Sequence, residues 1–425
     1  MTETQTLDQP LASAAPAEST CRLCTTPLTE IFADLGMSPL ANAYLKRSQL
    51  HNMEPFYPLR AHVCAACKLV QVEEFEEPSK IFGDYAYFSS YSTSWLEHAR
   101  RYTDQMTARF DLGAGSQVLE VASNDGYLLQ YFVEKNIPVL GIEPAANVAA
   151  AAIEKGVPTR SFFFGAATAR DLVKEGYSAD LLIANNVLAH VPDLHSFVAG
   201  IKIALKPAGV ITVEFPHLLQ LMRHTQFDTI YHEHFCYFSL LVIERLFARH
   251  ALAVFDVEEL ATHGGSLRIF GKHSGDASKP VTASVHKLRE QEAAARVDQL
   301  DSYRHFSGQV KQAKLDILQF FLDTRRAGKT IAGYGAPAKG NTLLNYCGIK
   351  TDLLPFTVDL NPHKQGSFLP GTHIPIEAPE AICKMRPDYV FILPWNLKQE
   401  IANQLSYIRE WGGKFVVAIP SIEIF

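Results

Sequence analysis

The chain has 425 residues, of which 47% are hydrophobic and 20% are charged, so it is long enough to bury two or three hydrophobic cores. Its formal net charge of −6 gives no basic field of the kind that attracts nucleic acid or anionic lipid. These values exclude a single small domain, and we expect neither nucleic acid nor a membrane as a partner.

The N-terminal segment, residues 1–18, is polar and acidic, with neither a basic start nor an apolar core. This composition predicts a disordered leader rather than a signal peptide. No apolar run in the sequence approaches the roughly 20 residues that a membrane-spanning helix needs. We therefore expect a cytoplasmic protein with three domains after the leader, at residues 19–88, 89–262 and 263–425.

Two CxxC pairs follow the leader, formed by Cys21 with Cys24 and by Cys64 with Cys67. Each pair presents two thiolates to one ion, and four thiolates make a closed, structural zinc site. Disulfides are the alternative, but a cytoplasmic location disfavours them. The long gap between the pairs predicts a small folded lobe, so residues 19–88 are interpreted as a zinc-binding domain.

A strand–helix–strand pattern covers residues 116–144 of the second domain. The Asn-Asp-Gly turn at 124–126 lets the backbone approach a ligand, and the carboxylate of Glu143 ends the second strand, where it can bind a ribose diol. The turn lacks GxGxxG and carries acidic groups, with Glu120 at the end of the first strand. This arrangement favours a cofactor with a cationic group, and S-adenosylmethionine is such a cofactor.

A third strand follows and ends in an Asn-Asn turn, and a KPAG turn at 206–209 leads into another strand. The ordered set of elements resembles the class I methyltransferases, which implies an α/β domain of the Rossmann type. The predicted cofactor-binding residues are Glu120, Ser123, Asn124, Asp125, Gly126, Glu143, Pro144, Asn185 and Asn186.

The last third of the chain repeats this α/β pattern. Residues 329–348 predict a strand, a glycine-rich loop and a helix, and a loose GxGxxA begins at Gly333. Asp359 ends the next predicted strand. The loop fits an NAD site, a pyrophosphate-bearing substrate or a plain tight turn, and the nearby Lys339 favours the phosphate-bearing substrate.

Several longer motifs occur in a fixed order: the two CxxC pairs, SNDGYLL, YHEHFCYFS, GYGAPAKGNTLLNY and VDLNPHKQGSFLPG. Together they resemble the zinc-containing nucleotide-sugar C-methyltransferases over nearly the whole chain from Cys21 onward. The family commonly has glycine where this chain has Ala122. The resemblance implies an N-terminal zinc lobe, a class I methyltransferase domain and a second Rossmann-like domain. It also implies methyl transfer from S-adenosylmethionine to C3 of a TDP- or GDP-linked 4-keto-6-deoxyhexose.

The resemblance assigns chemistry to the motif YHEHF. A carbon next to a ketone becomes a nucleophile only after a base removes its proton, and histidine is a base of near-neutral pKa. His234 is the expected base, Tyr231 and His190 are expected to donate hydrogen bonds to the enolate, and Glu233 is expected to orient the sugar or the base. Tyr85 is expected to close the pocket. The predicted substrate-binding residues are Tyr87, which is the alternative to Tyr85, with Gly335, Lys339 and Asn341.

Other interpretations of these motifs stay open. In an extended segment, His232 and His234 would lie on one face and Glu233 on the opposite face. Not all three can then face one substrate, and His232 is expected to be structural. An O- or N-methyltransferase acting on a similar sugar would not need enolate donors. A nucleotide-sugar-binding protein or an oxidoreductase would use the loop at Gly333 for NAD.

Overall fold

The computed structural model describes residues 19–77, 89–91 and 93–425. Within these residues the strands form three β-sheets. In chain order the strands are β1 (Glu30–Ser38), β2 (Tyr57–Val63), β3 (Val70–Val72), β4 (Val118–Val121), β5 (Val139–Ile142), β6 (Thr159–Arg160), β7 (Ala179–Asn185), β8 (Leu205–Pro216), β9 (Cys236–Tyr237), β10 (Leu252–Leu260), β11 (Ser266–His273), β12 (Ile331–Tyr334), β13 (Thr357–Val358), β14 (Ile376–Glu377), β15 (Tyr389–Ile392), β16 (Lys414–Val417) and β17 (Glu423–Ile424).

Helices connect most of these strands. The α-helices are α1 (Thr93–Arg109), α2 (Leu129–Glu134), α3 (Ala146–Glu154), α4 (Ala166–Lys174), α5 (Leu194–Ala204), α6 (Leu218–Arg223), α7 (Leu240–Arg249), α8 (Ala283–Ala294), α9 (Leu300–Arg326), α10 (Ala338–Cys347), α11 (Glu380–Met385) and α12 (Lys398–Gln404). Short 3-10 helices lie at Arg47–Gln49, Ser89–Tyr91, Leu188–His190, Phe227–Thr229, Thr262–Gly264, Trp395–Leu397 and Ser406–Trp411. No helix within the described ranges is long and apolar enough to cross a membrane.

The central sheet has seven strands in the order β10-β11-β8-β7-β4-β5-β6. The strands from β8 to β6 are parallel, and β11 and β10 add an antiparallel hairpin at the other edge. The parallel strands are buried on both faces, which explains their continuous apolar sequences. Their carboxyl ends open on one edge, where a ligand binds in sheets of this type.

The N-terminal sheet joins two distant parts of the sequence. Its order is β1-β2-β3-β9, and all three pairings are antiparallel. The edge strand β9 comes directly after the YHEHF motif and pairs Cys236 with Gln71 of the zinc lobe. The chain around the predicted catalytic residues is therefore held by the zinc lobe.

The C-terminal sheet has six strands in the order β14-β13-β12-β15-β16-β17. All of its pairings are parallel except the last. Its buried residues share one hydrophobic core with the zinc lobe, in which Phe32 stacks on Phe306 of α9 with 4.4 Å between ring centroids. The cysteine pairs belong to a second core, shared with the central sheet.

The α/β fold class predicted from the sequence is confirmed, with an N-terminal four-stranded sheet, a central, mostly parallel seven-stranded sheet and a further six-stranded sheet among the described residues. The predicted strands at 118–121 and 139–142 coincide with β4 and β5. The central sheet includes the hairpin of β10 and β11 and extends to His273, and the domain bounds expected from the sequence stay predictions.

Candidate active site

The turn after β4 has a backbone that few side chains favour. Ala122, Asn124 and Gly126 all have positive φ angles, of 56°, 50° and 75°. Asparagine and glycine tolerate this left-handed region, whereas alanine is strained there by about 1–2 kcal/mol. The chain thus places alanine at a turn position whose backbone conformation favours glycine or asparagine.

Replacing Ala122 with glycine is expected to stabilise the protein. Glycine relieves the strain at a φ of 56° in the folded state, but it also raises the entropy of the unfolded chain, which opposes folding. The net increase in the free energy of unfolding is up to about 1 kcal/mol. Thermal unfolding measures it. The matched control is Ala151→Gly in helix α3, where the same change at a helical φ should lower stability by about 1 kcal/mol. Equal losses of stability in both variants would contradict the assignment of strain to Ala122.

Glu143 lies just past β5 and is 5% exposed. Its two carboxylate oxygens accept hydrogen bonds from the backbone N–H groups of Asn124, at 3.0 Å, and of Ala145, at 2.9 Å. Burial raises the pKa of this carboxyl group, and the two N–H groups oppose that rise. Each oxygen keeps a second lone pair, so Glu143 can tie the turn together and still bind a diol.

The other predicted cofactor residues leave several buried polar atoms without a hydrogen-bond partner among the described residues. These atoms are Glu120 Oε2, Ser123 Oγ, Asp125 Oδ1, Asn185 Oδ1 and Asn186 Nδ2. Buried polar atoms are normally satisfied, so this group of atoms fits a polar ligand at the carboxyl edge of the sheet. Burial raises the pKa of Glu120 well above its usual value, and the neighbouring carboxylates add to the rise. An acidic pocket of this kind suits a cation such as S-adenosylmethionine.

Replacing Glu143 with alanine is expected to weaken S-adenosylmethionine binding about 10- to 100-fold. The variant loses the charged acceptor for the ribose, and hydrogen bonds to charged groups contribute about 1.5–3 kcal/mol. Titration calorimetry measures the affinity, and the zinc content should stay unchanged. Glu143→Gln keeps one acceptor oxygen and should lose less. Wild-type affinity in the alanine variant would remove Glu143 from the cofactor site.

His234 lies in the segment between the 3-10 helix Phe227–Thr229 and β9. Its Nδ1 is 3.1 Å from the carbonyl oxygen of Thr229. Because a carbonyl only accepts, Nδ1 carries the proton and Nε2 has a lone pair in the neutral ring. The hydroxyl of Tyr231 lies 2.7 Å from that Nε2 and donates to it. Burial lowers the pKa of His234 well below its usual value, and the ring is therefore a neutral base at pH 7.

His190 adds a second imidazole to the cluster. It ends the 3-10 helix that follows β7, and its ring centroid is 4.8 Å from that of His234. Nδ1 donates to the backbone carbonyl of Glu233 at 2.7 Å, so Nε2 carries the lone pair. Burial lowers the pKa of His190 to about 4. In this state Nε2 accepts hydrogen bonds, and it can donate one to an enolate only after protonation.

Glu233 points toward the zinc lobe. Its Oε2 accepts a hydrogen bond from Asn42 Nδ2 at 2.6 Å, and burial raises the pKa of Glu233 to about 7.

His232 lies apart from this cluster. Its Nε2 donates to the carbonyl of Pro58 at 3.2 Å, and the ring of Tyr57 lies beside it. Alternate residues of the motif thus point in different directions. Tyr85 and Tyr87, the predicted pocket tyrosines, lie outside the described residues.

The C-terminal loop comes near this segment through helix α10. Thr342 Oγ1 donates to the carbonyl of Ile230 at 3.1 Å, and Asn341 Nδ2 donates to Ala41 of the zinc lobe at 2.6 Å. Gly335 has a φ of 88° and lies so close to Pro394 that a Cβ would clash with the proline ring. The helix therefore connects the glycine-rich loop with the YHEHF segment.

Sequence reasoning missed two residues near His234. Asp228 is fully buried, and its Oδ2 accepts from Trp395 Nε1 at 2.7 Å. His263 has a left-handed φ of 55°, and its ring centroid lies 5.5 Å from that of Trp95. The only sequence signal for His263 is the pair of glycines that follows it. No pattern marks Asp228, because its partner comes from the other end of the chain.

The four N-terminal cysteines form one cluster. Their Sγ atoms all lie within 4.8 Å of one another, and Cys21 Sγ also accepts a hydrogen bond from Gln71 at 3.3 Å. Four thiolates at this spacing fit one tetrahedral zinc ion. Arg245 and Arg249 of helix α7 donate to the backbone carbonyls of Cys67 and Leu23, at 2.9 and 2.8 Å. The zinc site is thus docked on the central domain.

Comparison with known proteins places each region of the chain. Three family models match: a zinc binding domain over residues 21–82, a methyltransferase domain over 95–257 and a C-methyltransferase C-terminal domain over 261–420. The C-methyltransferase NovU of Streptomyces niveus is 35% identical over 400 residues, which cover 94% of this chain and 95% of that protein.

Other similar proteins match smaller parts of the chain. A ubiquinone biosynthesis O-methyltransferase of Nitrobacter winogradskyi is 29% identical over 115 residues, which are 27% of this chain and 43% of that protein. The crystal structure of an S-adenosylmethionine-dependent methyltransferase from Clostridium acetobutylicum superposes on 42% of this chain and 92% of its own, with 11% identity and a TM-score of 0.34.

The family predicted from the motifs, the cofactor and the zinc are confirmed by these findings, whereas the individual site residues stay predictions. The cysteine cluster holds the structural zinc ion, and the central domain binds S-adenosylmethionine, which supplies the methyl group. Since the 35% identical relative is covered almost from end to end, this chain belongs to the zinc-containing, S-adenosylmethionine-dependent C-methyltransferases.

Proposed function

We propose that this enzyme transfers a methyl group to C3 of a TDP- or GDP-linked 4-keto-6-deoxyhexose through an enolate that His234 generates. The observation that carries this proposal is the protonation state of His234. Its Nδ1–H is bound to Thr229, so its Nε2 lone pair faces the hydroxyl of Tyr231 at 2.7 Å. A neutral, buried imidazole beside a hydroxyl donor suits proton abstraction next to a ketone.

The low pKa of His234 leaves the ring unprotonated before the substrate reacts, and it also makes the ring a weaker base than an ordinary histidine. Burial, together with the charges of neighbouring groups, keeps the ring neutral and ready to accept a proton. Proton transfer forms an imidazolium and an enolate side by side, and the attraction between these opposite charges offsets the burial penalty on the imidazolium. The base is therefore neutral before the substrate reacts and is stabilised as a cation only while the enolate exists.

Tyr231 takes part in the same step. Before reaction its hydroxyl donates to Nε2 of His234. Because Nε2 has one lone pair, the tyrosine hydroxyl first turns its hydrogen to the ketone oxygen of the substrate, which frees Nε2 to take the substrate proton, and the protonated Nε2 then becomes a donor. Tyr231 thereby serves the neutral base and the oxyanion in succession.

The nucleotide part of the substrate is proposed to lie at the glycine-rich loop of the C-terminal domain. Basic side chains surround that loop: Lys364 Nζ is 2.9 Å from the carbonyl oxygen of Ala336, and Lys46 Nζ is 3.2 Å from Ser367 Oγ. Diphosphate carries two negative charges, and lysines are common phosphate ligands. The carboxylate of Asp359 accepts the backbone N–H of Ala336 at 2.7 Å, which holds the loop in shape.

Solvent exchange tests the proposal without any methyl donor. With TDP- and GDP-linked 4-keto-6-deoxyhexoses in deuterium oxide, the enzyme should wash deuterium into the carbon that it later methylates. Mass spectrometry and NMR separate C3 from C5, since both carbons flank the ketone. Deuterium at C5 alone would move the methylation site to C5. Methyl transfer to an oxygen or nitrogen of the sugar, with no exchange at either carbon, would refute the enolate.

A further inference from the structure

The amino group of Lys339, at the N-terminal end of helix α10, lies against the 3-10 helix Trp395–Leu397. Its Nζ donates to Asn396 Oδ1 at 2.8 Å and lies 4.6 Å from the ring centroid of Trp395. The side chain is partly exposed although it lies deep in the protein. An ammonium has three N–H donors, and Asn396 is its one hydrogen-bond acceptor among the described residues.

Two contacts place Lys339 on the side of the YHEHF segment. Thr342, three residues further on the same face of helix α10, donates to Ile230 at 3.1 Å. Trp395, below the ammonium, donates to Asp228, whose neighbour Thr229 holds Nδ1 of His234. The ammonium, the tryptophan and the base are thus linked through one short stretch of chain.

The surroundings of Lys339 keep its charge available for a ligand. Burial lowers the pKa of Lys339, and the negative charge of Asp228 opposes that change. Asp228 is not in ion-pair contact with it within the described structure, and Asp228 Oδ1 has no hydrogen-bond partner there either. Burial is the main cause of the low pKa values of His234 and His263, and the positive charge of Lys339 lowers both pKa values further.

Before proton transfer, the histidines supply no positive charge to the oxygen on which the enolate develops. In their neutral states His190 and His234 present lone pairs at Nε2, and Tyr231 is first engaged with His234. We propose that the Lys339 ammonium binds the enolate oxygen, while Asn396 and Trp395 hold it in place. This inference rests on the proposed enolate chemistry, and it gives Lys339 a different role from the phosphate contact expected from the sequence.

Proton removal breaks the sugar C–H bond, and the proton goes to Nε2 of His234. The electron pair of that bond forms a carbon–carbon double bond. The π electrons of the ketone move onto the oxygen that Lys339 binds. When the carbonyl re-forms, the carbon gains the methyl group, and the pair from the broken S–CH3 bond stays on the sulfur. His234 then returns the proton to solvent.

Lys339→Met tests this role in the full-length, zinc-loaded enzyme. Both kcat and the rate of deuterium exchange into the sugar should fall about 10²- to 10³-fold, and KM should change much less, since the oxyanion exists only during reaction. Lys339→Gln, which keeps a donor to Asn396 without the charge, should show the same losses. Lys350→Met removes an exposed lysine near the end of the same helix and should behave as wild type.

The outcomes separate this inference from the proposed function. The role of Lys339 as the cation that binds the enolate oxygen would be supported by three results together. The wild-type enzyme exchanges deuterium into the sugar, both neutral variants do so more slowly, and both still bind S-adenosylhomocysteine. Exchange at the wild-type rate in either folded variant, with weaker binding of TDP or a raised KM, would overturn it in favour of a phosphate contact. Absence of exchange in the wild-type enzyme would overturn the enolate itself.

Discussion

His234→Asn is expected to lose about 10²- to 10⁴-fold in kcat while it keeps the affinity for both ligands, because general-base catalysis contributes that much. Asparagine has an amide N–H near the position of Nδ1 and can keep the bond to Thr229, which His234 makes at 3.1 Å. It has no equivalent of Nε2. The variant should therefore also lose deuterium exchange into the sugar, which requires only proton removal.

Two further variants sharpen this test. Tyr231→Phe should lose less than His234→Asn in both reactions, because it removes one donor and leaves the base. His232→Asn makes the same substitution two residues away, at a ring bound to the carbonyl of Pro58, and should keep kcat within a few-fold of wild type. Exchange at the wild-type rate in His234→Asn would assign the base elsewhere, with His190 as the next candidate.

The parts of the fold that were predicted from the sequence depend on local patterns. The apolar strands at 118–121 and 139–142 and the glycine-rich turns each carry their signal within a few residues, and the structure has β4, β5 and the strand–loop–helix of β12 and α10 there. Spacing alone also identified the four cysteines that the structure brings together. Local sequence was sufficient because neighbouring residues determine these elements.

The features that were not predicted depend on contacts between distant segments. Strand β9 has two residues, and only its pairing with β3 makes it a strand. Asp228 faces Trp395, which is 167 residues away in the sequence. The tautomer of His234 follows from the position of the Thr229 carbonyl, which no residue pattern encodes. Sequence therefore identified the chemical groups of the site, whereas their protonation states and partners required the fold.

The zinc lobe contributes to catalysis through the same long-range contacts. Strand β3 pairs with β9, and the N–H of Val72 donates to the carbonyl of Phe235 at 3.0 Å, one residue past His234. Asn42 of the lobe binds the side chain of Glu233. Without a folded lobe, the segment that carries the base loses its neighbouring strand, whereas the cofactor turn after β4 keeps its own contacts in the central sheet.

Cys64→Ser is therefore expected to abolish zinc binding and methyl transfer together. The lobe shares its cores with the other two sheets, and a structural zinc site adds folding free energy of its own, about 10–16 kcal/mol in isolated zinc-finger peptides. S-adenosylhomocysteine should still bind, because Glu143 and its turn lie outside the lobe. Metal analysis measures the zinc content, and calorimetry measures the binding of S-adenosylhomocysteine. Methyl transfer and deuterium exchange into the sugar measure the catalytic function of the segment that carries His234. Cys383→Ser changes an exposed cysteine outside the cluster and should leave all of them unchanged. A zinc-free Cys64→Ser enzyme that still exchanges and methylates at wild-type rates would separate the zinc lobe from the positioning of His234.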